Sequence, residues 1–245
     1  MKKLFVGTSG YVYSHWENGV FYPPDLPKSK KLEYYCQHFK TVELNNTFYR
    51  LPNEKVFESW YQKTPKNFIF AVKLSRFITH IKKLVNCKKP LEIFLKRALK
   101  LKEKLGPILI QLPPNFKLNF SKLENFVEVL LKNSPPNLKF AFEFRNETWF
   151  KKEVWQFLKE KNIAWVIQDS PHWPKKEIIS ANFIYIRMHG SKILFSSKYT
   201  REEILNLAQK IKKWLKEFDV YCYFNNDAHG FAVQNAKELL SILKS

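Results

Sequence analysis

Glycine is scarce in this 245-residue chain, with six residues in all. Cysteine is scarcer still. Cys36, Cys87 and Cys222 have no metal-type spacing and would leave one thiol over from a disulfide pair. A disulfide-built fold is excluded, and a reduced, cytoplasmic chain is expected. No apolar run approaches the roughly 20 residues that cross a bilayer, and the N-terminal apolar stretch stops at Gly7, too short for a signal peptide. No membrane partner is expected. Neither a GxGxxG nor a P-loop pattern follows the first apolar strand, which removes the main support for a dinucleotide or P-loop fold. There is no linker, low-complexity tract or repeat. Acidic residues are outnumbered 22 to 42 by basic ones, for a net charge of +20. That field attracts polyanions, so nucleic acid is a possible partner. Only six of the basic residues are arginine. Arginine is the better phosphate fork, and a lysine excess can also come from genome base composition.

What is present is a core. Hydrophobic residues make up 45% of the chain and phenylalanine alone supplies 22, a balance opposite to that of disorder. Strand-like runs read Leu4–Thr8, Thr41–Asn45, Ile69–Ser75, Ile108–Leu112, Lys139–Arg145, Ala164–Asp169, Phe183–His189 and Val220–Asn225. Between them, stretches near 30–39, 53–63, 90–104, 121–132, 151–161, 200–217 and 231–243 repeat apolar residues at helical spacing. Ser121 and Thr200 are the expected N-caps, with Glu203 completing a capping box. Eight strands alternating with helices predict one α/β domain over residues 1–245, a (β/α)8 TIM-type barrel. Its sixth helix is short or absent, because Ser170–Asn182 is brief and proline-bearing. Two connections are long, Gly10–Ser29 and Arg76–Lys89.

Strand residues alternate between faces, and the fifth strand reads most cleanly. Phe140, Phe142 and Phe144 share one face and meet helices; Ala141, Glu143 and Arg145 share the other and point to the axis. The same parity sends Glu43, Asn45, Ala71, Lys73, Gln111, Tyr185, Arg187 and His189 inward and puts Tyr223 with Asn225. The sixth strand is ambiguous between Gln168 and Asp169, and the exit before Asp227 is too irregular to assign. Desolvating one such ion costs several kcal/mol, so converging Glu43, Lys73, Glu143, Arg145 and Arg187 is a poor way to build a plain core. Active sites of barrels lie at the strand C-terminal ends. Gly7, Gly10, Gly190 and Gly230 are read as falling at those same exits.

In these residues the chain resembles the YecE-like proteins, domain-of-unknown-function family 72. The matching runs are Gly7-Thr-Ser-Gly-Tyr11, Phe21-Tyr-Pro23, Val42-Glu-Leu-Asn-Asn-Thr-Phe-Tyr49, Gln111-Leu-Pro-Pro114, Glu143-Phe-Arg145 with Trp149, Arg187-Met-His-Gly190 and Phe224-Asn-Asn-Asp227. Phe68 to Lys73 and Thr79-His80 also fit. The runs cover nearly the whole chain in order. Asn146 departs from the histidine common after that arginine. The resemblance implies a TIM-type barrel and no settled activity, substrate or cofactor.

The chemistry therefore rests on the residues. Lys73, Arg145 and Arg187 suit a phosphate or carboxylate, with Asn45, Gln111, Asn225, Asp227, Tyr49 and Trp16 as further ligand contacts. Glu43, Glu143 and His189 are the candidates for proton transfer. The expected function is an enzyme acting on a phosphate-bearing ligand, a nucleotide or nucleic acid, with hydrolysis (phosphoesterase-like) favoured. The alternative is a nucleic-acid or anionic-metabolite binder without turnover. A divalent cofactor is possible; no metal site is assigned, and Asp169, His172 and His229 are kept as the candidates because carboxylate–imidazole pairs suit zinc or manganese. A carboxylate-pair glycosidase is the weaker reading, since neighbouring cations keep both groups ionised. Ser9 has no nucleophile elbow. The aromatics of the first long loop, Tyr11 to Tyr22, either stack on a ligand or pack as a small core.

Overall fold

The structure, a computed structural model, describes residues 2–244. Strands and helices alternate: β1 (Leu4–Thr8), α1 (Lys31–His38), β2 (Thr41–Leu44), α2 (Asn46–Tyr49), α3 (Glu54–Gln62), β3 (Ile69–Lys73), α4 (Lys88–Ala98), β4 (Leu105–Gln111), α5 (Phe120–Lys132), β5 (Phe140–Glu143), α6 (Lys152–Glu160), β6 (Ala164–Trp165), β7 (Ile167–Asp169), β8 (Phe183–Met188), α7 (Arg201–Trp214), β9 (Asp219–Phe224) and α8 (Phe231–Lys244). Every ladder is parallel. One sheet runs β2-β3-β4-β5-β6 and the other β1-β9-β8-β7. The ladders do not close into one continuous ring, but the sheets meet at two seams. β6 and β7 are halves of the expected sixth strand, interrupted at Val166, whose N–H donates to Phe142 O. At the other seam, Ser9 bridges Glu43 and Gly10 N–H donates to Glu43 O at 2.8 Å. The strand order is that of a TIM-type α/β fold.

Parity divides the apolar residues into two cores. Phe5, Ala71, Leu109, Ala141, Tyr185 and Tyr223 pack with their neighbours inside the strands. Phe70, Val72, Ile108, Phe140, Phe142 and Ile186 face outward into the larger core beneath the helices. The sixth strand follows the same rule. Ala164, Val166 and Gln168 turn inward, and Asp169 turns out to accept from Tyr199 Oη at 2.8 Å and to pair with Lys175.

Local chemistry sets the helix ends. Thr200 caps α7 with Glu203 completing the box. The start of α5 differs from the reading at Ser121: Asn119 is the cap, its side chain accepting from Lys122 N–H at 3.0 Å, and the helix begins at Phe120. The segment 90–104 is not one helix. α4 ends at Ala98, and tight turns continue to Lys104 through Lys102, which takes a left-handed φ of 50°. No helix covers residues 170–182, as expected of that short connection. Gly7 sits inside β1 rather than at an exit. Among the described residues, no helix is long and apolar enough to cross a membrane.

Candidate functional site

The C-terminal ends of β2, β3, β5 and β8 carry Glu43, Lys73, Glu143 and Arg187 to the same mouth of the strands. Ladder register aligns Gln111 with Glu143 and Gln168 with Arg187. Arg187 is 1% exposed and lies between the two carboxylates. Its Nη2 donates to Glu43 Oε1 at 2.7 Å and its Nε to Glu43 Oε2 at 3.0 Å, while Nη1 donates to Glu143 Oε2. Glu43 also accepts from Ser9 Oγ at 2.8 Å and Tyr185 Oη at 2.7 Å. Glu143 takes a further bond at 2.6 Å from Arg145 Nε. This is a desolvated, charge-assisted network.

Burial opposes ionisation of both carboxyls, but the cations win. Arg187 and the bonds from Tyr185 and Ser9 hold Glu43 below the usual carboxylate range. Arg145, Arg187 and His189 hold Glu143 well below it. His189 is fully buried against this network, its Nδ1 3.0 Å from Asn225 Nδ2 and its Nε2 3.6 Å from Glu143 Oε2. Burial and Arg187 push His189 down to about 4, so the ring is neutral at pH 7. Lys73 differs from all of these. Its Nζ lies 3.9 Å from the centre of the Phe48 ring and has no hydrogen-bond or ion-pair partner among the described residues. Burial, then Arg187 and Arg145, push it down to about 7.

Above the network lies a cavity of about 610 Å³, within the range of small-ligand sites. Lys73, Arg76, Arg145 and Arg187 reach it, as do Asn45, Gln111, Asn225, Asp227 and Tyr49. Asn45 Oδ1 is buried without a partner. Tyr49 stands at the rim, 72% exposed. Glu43, Glu143 and His189 do not line the cavity; they support its floor. Trp16 does not line it either. It is fully buried among Tyr13, Phe21 and Tyr22, and its indole N–H donates to Asp227 Oδ1 at 3.0 Å. The first long loop therefore packs as a small aromatic core and offers Tyr13 and His15 to the cavity. The metal candidates do not converge. Asp169 faces the outer side, and His172 and His229 are exposed on separate loops. Among the described residues, no three His, Cys, Asp or Glu side chains are placed to hold an ion.

The comparisons with known proteins agree with this fold. Residues 5–245 match the family described as "Protein of unknown function DUF72". The chain belongs to that family. A DUF72 family protein, TM1631 of Thermotoga maritima MSB8, is 30% identical, superposes with a TM-score of 0.88 and is covered fully by 99% of this chain. The DUF72 family protein EF0366 of Enterococcus faecalis V583 has a TM-score of 0.82 at 21% identity, over 100% of this chain and 99% of that one. The UPF0759 protein YunF of Bacillus subtilis (strain 168) is 26% identical over 98% of this chain and 94% of its own length.

Several residues of this candidate site escape a strand-parity reading because loops carry them. His15 Nε2 lies 2.9 Å from Asp227 Oδ2 at the cavity wall. Burial raises the Asp227 carboxyl, opposed by bonds from Trp16 and His15. Arg76 and His80 come from the turn after β3; burial, then Lys73, push His80 down to about 4. Trp173, from the connection after β7, stacks under the Arg145 guanidinium at 3.5 Å and meets His189 edge-on at 5.2 Å. The resemblance had marked Thr79-His80. For His15 and Arg76 the only signal is aromatic and basic density in the two long loops; Trp173, in the short connection after β7, carries none.

Proposed function

We propose that this DUF72 chain is an enzyme acting on a phosphate-bearing ligand of about nucleotide size in the mouth cavity. One observation carries the reading. Lys73 reaches the cavity with no anionic partner, beside Arg76 and Arg145, while both buried carboxylates are already engaged by Arg187. An anion supplies the missing partner. Arg145, flat against Trp173 and fixed by Glu143, is a pre-organised fork for phosphate oxygens.

Hydrolysis needs a group that takes a proton from water. Glu43 is a poor candidate, since four bonds occupy its oxygens. His15, oriented by Asp227, is the pair that supports hydrolysis. The occupied glutamates favour the second reading, a binder of nucleotides or other anionic metabolites without turnover. Three free thiols support a reducing, cytoplasmic setting.

Calorimetric titration with inorganic phosphate and nucleoside monophosphates, together with phosphate release from a phosphomonoester and phosphodiester panel, tests both. Binding is expected to weaken about tenfold or more in Arg145→Gln, and phosphate release to vanish in His15→Gln with binding kept. Unchanged binding in Arg145→Gln would sink the anion site; binding without release of phosphate from any ester would select the binder.

A further inference from the structure

We propose that Lys73 is a nucleophilic amine that captures phosphate-bearing aldehydes or ketones as an imine at Nζ. The inference rests on the anion site above and adds a carbonyl to the ligand class. It does not depend on whether a phosphoryl bond is hydrolysed.

The comparison that carries it lies within the chain. Among the described residues three lysines are buried: Lys31, Lys73 and Lys104. Lys31 pairs with Glu17. Lys104 is surrounded by oxygen, donating to Tyr61 O at 2.5 Å, Thr64 O at 2.6 Å and Thr64 Oγ1 at 3.2 Å. The fold thus supplies oxygen partners to the ammonium groups it buries for structure. Lys73 receives none. Its Nζ has the Phe48 ring on one side, and it lines the mouth cavity. The charged groups around it come from every neighbouring element: Glu43 from β2, Arg76 and His80 from the turn after β3, Glu143 from β5, Arg145 from the exit after β5, and Arg187 from β8. Both carboxylates are bound to guanidinium groups, so neither is free to hold an ammonium. A desolvated lysine beside other cations is the usual form of an activated amine, and the shift of Lys73 to about 7 agrees with that arrangement.

The step balances without a co-reactant. The Nζ lone pair attacks the carbonyl carbon and a C–N bond forms. The C=O π pair moves to oxygen, which gains a proton while Nζ loses one, giving a carbinolamine. Loss of a second proton from nitrogen and of the hydroxyl as water leaves the C=N bond. Arg76 and Arg145 hold the phosphate as a handle, and Phe48 and Tyr49 flank the ligand body.

The test uses the intact protein and pyridoxal phosphate, an aldehyde that carries a phosphate, followed by borohydride reduction and peptide mapping. At one equivalent of probe, Lys73 is expected to carry most of the label, although the surface holds many other lysines. Pyridoxal without the phosphate is expected to label it about tenfold less, and inorganic phosphate to protect it. Lys73→Arg, checked for folding by its unfolding transition, loses the label at that peptide. Label spread over surface lysines, with calorimetry still showing phosphate bound in an Arg145-dependent way, would overturn the imine and leave the anion site standing. Absence of both the label and phosphate binding would overturn the two together.

Discussion

At the scale of single residues, the site contains two buried cations with opposite consequences for stability. Arg187 neutralises two carboxylates that are 0% exposed. Arg187→Met leaves both buried without it, and the expected loss is about 3–5 kcal/mol, read from urea unfolding at pH 7. Lys73 behaves the other way. Its folded pKa is about 7 against an unfolded value of about 10.4. Between those limits the unfolded chain binds more protons, so stability due to this group rises with pH from about 7 toward 10 and is lost as pH falls to 7. Lys73→Met is expected to unfold later than the parent at pH 7 and to flatten that slope. Equal pH slopes in the two proteins would mean that Lys73 is solvated and ordinary, and would weaken the case for its chemistry as well.

At the scale of elements, close approach and capping explain what the pattern of residues could and could not reveal. A Cβ on Gly7 would lie 2.3 Å from Thr41 O, where β1 abuts β2 at the seam. Gly7→Ala is therefore expected to separate the strands or fail to fold, as judged by solubility and cooperative melting. Thr200→Ala removes a capping box at an exposed helix start and is expected to cost only about 1 kcal/mol. The strand ends and their faces were legible because period-two alternation records which side each residue must bury. Phe140, Phe142 and Phe144 against Ala141 and Glu143 left little choice, and the two cores follow that division. Glu43, Lys73, Glu143 and Arg187 were found by the same rule. His15, Arg76 and Trp173 were not, because irregular loops have no period. Trp16 was read as a ligand contact because an aromatic in a long loop reads the same whether it faces a ligand or, as here, a small core. Asn119, not Ser121, caps α5: both residue types cap helices, and only the backbone geometry separates them.

At the scale of the whole molecule, the charge of +20 has two parts with different geometry. Three of the six arginines (Arg76, Arg145 and Arg187) line one cavity, while all but three lysines escape burial. The surface lysines make a diffuse field; Arg76, Arg145 and Arg187 gather with Lys73 at one cavity. A diffuse field binds polyanions through counterion release, and its affinity falls linearly with log salt at a slope set by the number of phosphates met. On the proposed reading, the cavity meets one phosphate group at a time. A single-stranded oligonucleotide is therefore expected to bind with a steep salt slope that Arg145→Gln reduces by no more than about one. Mononucleotide binding is expected to have a shallow slope and to depend strongly on Arg145. The discriminating measurement is fluorescence anisotropy over a salt series with both ligands and both proteins. If Arg145→Gln abolished oligonucleotide binding at low salt, the nucleic acid would be threading into the mouth. The division between a surface lysine field and the cavity site would then be wrong, and the ligand would have to be a strand rather than a small molecule.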